Sequence, residues 1–159
     1  MRLKPNVNIK SIFDINVFNL KACEIEAVFF DLDSTVMRSK SGIFDKQTLD
    51  FLNMLNNHFK VAIISNNKND EYIKKAQSQV IFPVVGGAKK PDVKALLQVC
   101  KDFNVKPSNC AFVGDRPLTD ILCAKRAGMF SILVDSISAD SEKKIVRFVR
   151  FLERLSIKK

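Results

Sequence analysis

Short apolar runs that close on polar residues recur along this chain, and between them apolar residues fall at helical spacing. Ile25-Glu26-Ala27-Val28-Phe29-Phe30-Asp31 reads as a buried strand ending in an acid. Val61–Ser65 runs into Ser65-Asn66-Asn67, Val80–Val85 is a short run broken by Pro83, and Cys110–Asp115 and Phe130–Asp135 again end in acids. Leu49, Leu52 and Leu55 predict a helix over 45–58 behind Asp45 as N-cap, and a polar helix spans about 68–79. Gly86-Gly87 breaks the chain before Lys89-Lys90-Pro91, with Pro91 at a first helical position and Val93, Leu96, Leu97 and Cys100 as an apolar stripe. A further helix runs from Pro117 to Gly128, whose glycine suits a C-cap, and a last one covers 140–156. Strands alternating with helices predict an α/β fold with a doubly wound, mainly parallel sheet in three α/β/α layers, because right-handed crossovers cover both faces. Residues 1–24 form an N-terminal extension whose apolar positions, Ile12, Phe13, Ile15 and Leu20 among them, are expected to pack on the domain.

The size agrees with one domain over 1–159. At 47% hydrophobic and 27% charged residues the chain is globular in composition. No run approaches about 18 consecutive apolar residues and no apolar signal core follows Met1, so a soluble, cytoplasmic protein is expected. The net charge of +9 favours anionic partners, and it concentrates in 143–159, with seven basic residues against Glu153 alone. Cys23, Cys100, Cys110 and Cys123 include no CxxC pair and read as reduced core cysteines. His58 reads as a capping or surface residue, and Tyr72 as core or interface.

In open parallel sheets ligands bind beyond the carboxyl ends of the strands, and the distinctive polar residues of this chain fall there. Asp31 and Asp33, two apart in an extended segment, face the same side and repel unless a cation lies between them. Asp115, from a strand expected beside the first, adds a third acid, and such a hard-oxygen set suits Mg²⁺. Ser65 and Lys90 offer a hydroxyl and a point charge for phosphoryl oxygens. There is no GxGxxG and no GxxxxGK[ST], so the site handles one phosphoryl group and one divalent metal.

Asp31-x-Asp33-x-Thr35-Val36, Ser65-Asn66, Lys90-Pro91 and Gly114-Asp115-x-x-x-Thr119-Asp120 resemble, in order, the four motifs of the haloacid dehalogenase (HAD) superfamily. The N-terminal stretch through Ile12-Phe13-Asp14-Ile15, the run Gly114 to Gly128 and the tail Arg147 to Arg154 narrow the resemblance to the capless subfamily IIIA, the YqeG-type phosphatases related to phosphatidylglycerophosphate phosphatase. Ser34 stands where those proteins often have Asn. The resemblance implies a HAD-like Rossmannoid fold and a phosphatase with Asp31 as nucleophile and Asp33 as general acid and base. It implies Mg²⁺ held by the Asp31 carboxylate, the Asp33 backbone carbonyl and Asp115. Ser65, Asn66 and Lys90 would bind phosphate, with Thr35, Thr119 and Asp120 supporting these groups.

HAD enzymes select substrates through inserted caps, yet only 32 positions separate Asp33 from Ser65 and 25 separate Ser65 from Lys90. An uncovered site suits a phosphate carried by something large. Phosphatidylglycerophosphate at a membrane surface is the first expectation. Soluble sugar phosphates, nucleotides or polynucleotide ends are the alternative, and a non-catalytic binding module on the same fold is a third. The last helix groups Lys143, Lys144, Arg147, Arg150, Arg154 and Lys158 on one face and Ile145, Val149, Leu152 and Leu155 opposite. Two dispositions follow: the apolar face docks on the domain and leaves the basic face in water, or the basic face lies on an anionic membrane in peripheral contact with its inner side. No run alternates basic residues with exposed aromatics, so no specific nucleic-acid partner is expected.

Overall fold

Ala27, Val28, Phe29 and Phe30 are all buried, as a strand covered on both faces requires. They form β2 (Ala27–Phe30) in a computed structural model that describes residues 3–140, 143–155 and 157. The other strands are β1 (Val7–Asn8), β3 (Lys60–Ile64), β4 (Val84–Val85), β5 (Cys110–Gly114) and β6 (Phe130–Leu133). All described pairings are parallel, in the order β1-β6-β5-β2-β3-β4. The helices are α1 (Val17–Ala22), α2 (Lys46–His58), α3 (Asp70–Gln77), α4 (Lys94–Phe103), α5 (Leu122–Ala127) and α6 (Lys144–Leu155).

The strand alternation sorts the core into two layers. Val28, Phe30, Val61, Ile63 and Val113 point to one face, where Leu20, Leu52, Leu55 and Ala76 bring α1, α2 and α3. Ala27, Phe29, Ala62, Ile64 and Phe112 point to the other, under Leu96, Val99 and Cys100 of α4 and Cys123 and Ala124 of α5. The fold is therefore a doubly wound α/β/α sandwich. Asp45 caps α2 by accepting from the Thr48 N–H at 2.8 Å, and Gly128 closes α5 in the left-handed conformation at φ +77°.

Two expectations from the sequence are corrected. Pro91 does not begin a helix: a turn returns the Asp92 N–H to the Lys89 carbonyl, and the Asp92 carboxylate accepts from Lys94 N at the true start of α4. Cys23 is exposed, because it follows the last turn of α1 on its solvent side, whereas Cys100, Cys110 and Cys123 are buried. The N-terminal extension adds the edge strand β1, fastened to β6 where Asn6 Oδ1 accepts from Ser131 N at 2.8 Å and from Ser131 Oγ at 2.9 Å.

Candidate active site

At the carboxyl end of β2 the chain turns sharply. The Val36 and Met37 amides both donate to the Leu32 carbonyl, and the Ser34 amide donates to Met37 O. Ser34 takes φ +69°, the left-handed region that Asn and Gly tolerate best, which gives a physical sense to the Asn common at this position in the resembling phosphatases. Because the turn begins at once, the two-residue alternation of the strand does not reach Asp33. Its carboxylate swings away from Asp31 and accepts from the Tyr72 hydroxyl at 2.5 Å and from Lys40 N at 3.3 Å. Two residues on, the Thr35 hydroxyl donates to Asp115 Oδ1 at 3.0 Å.

The loop after β4 delivers Lys90, and β3 holds that loop in place. Ala88 N donates to Ser65 O and Gly87 N to Asn67 O. The Asn66 side chain grips the Lys90 backbone twice, accepting from its N–H at 2.6 Å and donating to its carbonyl at 3.0 Å. The Asn66 amide expected on phosphate is thus spent on positioning the lysine. Ser65 is buried, and its hydroxyl accepts from Asn67 N at 3.0 Å.

Lys90 Nζ lies 2.7 Å from Asp31 Oδ1 and 2.8 Å from Asp120 Oδ1, and 5.0 Å from the Phe112 ring centre. Burial opposes its charge, but the Asp120 and Asp31 carboxylates outweigh burial and raise the ammonium's pKa above its ordinary value. Asp120 is pushed up to about 6, first by burial and then by the charge of Asp31, against the pull of Lys90. Asp120 comes from a π-helical turn, Pro117–Ile121, folded tightly over the end of β5. A Cβ on Gly114 would stand 2.4 Å from the Asp120 side chain, so only glycine admits that approach.

Carboxylate oxygens of Asp31, Asp115 and Asp120 lie within 4.8 Å of one another. The cluster expected from the sequence paired Asp31 and Asp115 with Asp33. Asp120 brings the third side chain instead, for the reason given above. The donor set fits Mg²⁺: all ligands are hard oxygens, and oxygens on a common ion at about 2.1 Å each are separated by up to about 4.2 Å, so only slight contraction is needed. The buried Asp115 already has a cation at hand, since Arg150 Nη1 of α6 donates to its Oδ2.

That contact reverses both dispositions expected for the last helix. Arg150, Glu153 and Arg154 turn inward: Glu153 Oε1 accepts from Arg116 Nη2 at 3.0 Å, and Arg154 Nη2 donates to the Val134 carbonyl at 2.9 Å. The apolar residues of α6 face outward. Buried carboxylates at the strand ends demand cations, and the arginines of α6 supply them, so charge rather than apolar area docks this helix. A pocket of about 320 Å³ opens over Asp31 and Lys90, walled by Asn67, Arg116, Thr119 and Arg150. Sequence reasoning missed Tyr72, Arg116, Arg150 and Glu153; Arg116 fills a variable position of the Gly114–Asp120 motif, and the other three lie outside the strand-end motifs. Their partners lie 39, 37, 35 and 37 positions away.

Known proteins with similar features place this geometry. Residues 1–137 match the family described as mitochondrial PGP phosphatase. The probable phosphatase YqeG of Bacillus subtilis is 31% identical over 151 residues, covering 94% of this chain and 87% of that protein. Phosphatidylglycerophosphate phosphatase 1 of Arabidopsis thaliana is 28% identical over 98% of this chain, which spans only 47% of that longer protein. Among solved structures, a HAD phosphatase from Thermococcus onnurineus superposes with TM-score 0.57 at 15% identity, over 70% of this chain and 86% of that one, a likeness of fold. By sequence the chain belongs to the PGP phosphatase family of HAD enzymes, and it is a phosphatase.

Proposed function

We propose that this phosphatase is a Mg²⁺-dependent phosphomonoesterase working through an aspartyl-phosphate on Asp31, with phosphatidylglycerophosphate as its substrate. One observation carries the reading: a buried lysine spans the Asp31 and Asp120 carboxylates at 2.7 and 2.8 Å beside a cluster of three acids. Lys90 fixes the position of the Asp31 carboxylate at 2.7 Å and sits where it can meet phosphoryl oxygens. Asp31 and Asp115, with the Asp33 backbone carbonyl, would hold Mg²⁺, which supplies positive charge to draw in and polarise the phosphoryl group.

An Asp31 carboxylate oxygen attacks phosphorus as the ester P–O bond breaks, and the departing alkoxide takes a proton from the Asp33 carboxyl group. Asp33, now a carboxylate, removes a proton from water. That water attacks phosphorus, the bond to Asp31 breaks, and phosphate leaves with Asp31 regenerated. Tyr72 orients Asp33 for both proton transfers, and Asn66 fixes the backbone that aims Lys90.

Lipid as the carrier is supported by the open mouth, since α2 with β3 and α3 with β4 fill the two intervals where a cap could insert. The name of the Arabidopsis relative agrees. On this reading the enzyme works at the cytoplasmic side of a membrane bearing its substrate. The test is turnover with Mg²⁺ of phosphatidylglycerophosphate in vesicles beside a panel of soluble sugar phosphates and nucleotides. Preference for the lipid supports the reading, and turnover of soluble esters alone rejects the lipid part. Asp31→Asn is expected to lower turnover at least about a thousandfold with the fold intact, and unchanged hydrolysis would remove the nucleophile from Asp31.

A further inference from the structure

α6 is built inside out for a terminal helix. Arg150, Glu153 and Arg154 are turned into the protein, and Ile145, Phe148, Val149, Phe151, Leu152 and Leu155 are turned away, with Ile145 70% and Phe148 59% exposed. An apolar stripe three turns long in water is costly unless something covers it. The inward contacts hold the stripe in place, through Arg150 to Asp115, Arg116 to Glu153 and Arg154 to the Val134 carbonyl.

We propose that this outward face seats in the interfacial layer of a membrane rich in anionic lipid, as an anchor that sets the mouth of the site at headgroup level. The proposal deepens the lipid-substrate reading and rests on it for its purpose, but on the helix for its geometry. Charge complementarity selects the occupant. Lys143, Lys144 and Arg147 are exposed at the start of the helix, and their long stems let the charges snorkel to anionic headgroups while the stripe enters the acyl boundary. Glu153, the one acid of this helix, is buried against Arg116, so a second copy of the same face would offer those cations no partner. Arg150 on the inner side lines the pocket, so a helix lying flat on the bilayer holds the pocket one helix diameter, about 10 Å, from the acyl boundary.

The chain contains no tryptophan, so Phe148→Trp introduces a single reporter. With vesicles of equal parts phosphatidylcholine and phosphatidylglycerol, its emission is expected to shift to the blue and to be quenched by brominated acyl chains. Pure phosphatidylcholine vesicles should do much less, and salt should weaken the effect. The unsubstituted protein should co-sediment with the anionic vesicles, and the pair Phe148→Gln with Leu152→Gln, which keeps good helix formers, should lower the bound fraction at least about tenfold. Turnover of a soluble phosphomonoester should stay at the parental level in that pair. An unquenched reporter, or equal vesicle binding by the pair and the parent, overturns the proposal. Emission already blue without lipid, together with a dimer in sedimentation, overturns it in favour of a second copy. None of these outcomes touches soluble turnover, so the anchor can fail while the phosphatase chemistry stands, and the reverse.

Discussion

Lys90 Nζ and Asp120 Oδ1 meet at 2.8 Å with both side chains 1% exposed, so a charge pair lies beneath the floor of the site where water does not screen it. The pair makes stability depend on pH through Asp120, whose carboxyl is raised from 3.8 to about 6. A raised acid binds its proton more tightly in the folded state. Its stabilising contribution is present below about 3.8 and is lost as pH rises through about 6. In chelator, the stability of the parent relative to Asp120→Asn should therefore fall by on the order of 2 kcal/mol between about pH 4 and pH 6. Urea midpoints across that range check this, and parallel curves for the two proteins would refute it.

Gly114 touches the same device from the strand side. Gly114→Ala places a methyl group 2.4 Å from Asp120, and the turn must lift. A cost of about 1–3 kcal/mol is expected. Turnover should fall more than stability alone explains, since Lys90 loses a partner. Thermal melts beside kcat separate the two effects.

Tyr72→Phe removes one hydroxyl and leaves the ring. Asp33 then loses its 2.5 Å donor and its fixed orientation. We expect kcat to drop about tenfold or more with KM nearly unchanged, as proton transfer suffers and binding does not. Equal kcat in the two proteins would leave Tyr72 as packing only.

Arg150→Ala strips the cation from the buried Asp115 carboxylate. Without metal the protein should lose about 2–4 kcal/mol, the cost of an uncompensated buried charge. Added Mg²⁺ should then raise the melting temperature of the variant more than that of the parent, because ion binding repairs what the substitution removed. Melts in chelator and in Mg²⁺ measure the difference.

The layers of the fold were legible because strand and helix periods were clean. Val28 and Phe30 sort from Ala27 and Phe29 by simple alternation, and Asp45 announces α2 by its capping chemistry. The strand-end motifs also put Asp31, Lys90, Asp115 and Asp120 at one end of the sheet. What stayed hidden depended on turns and distant pairs. Asp33 leaves its strand mate because Ser34 turns the chain, a left-handed step that a serine does not advertise. Tyr72 sits in α3 among polar neighbours, and nothing local ties it to a carboxylate 39 positions earlier. The amphipathic pattern of α6 was plain but its sense was not. Periodicity tells that two faces differ, while the choice of inner face fell to buried acids elsewhere in the chain.

The pairing of Val7 and Asn8 with Ile132 and Leu133 bears on how the molecule behaves in a crowd of its own kind. With that ribbon in place, the sheet's two borders are β1 and β4, each two residues long. So short a hem leaves little backbone for another molecule to stitch onto. A version shortened to begin at residue 25 would bare the four-residue flank of β6, and clumping by strand addition is the failure to watch for in such a truncation.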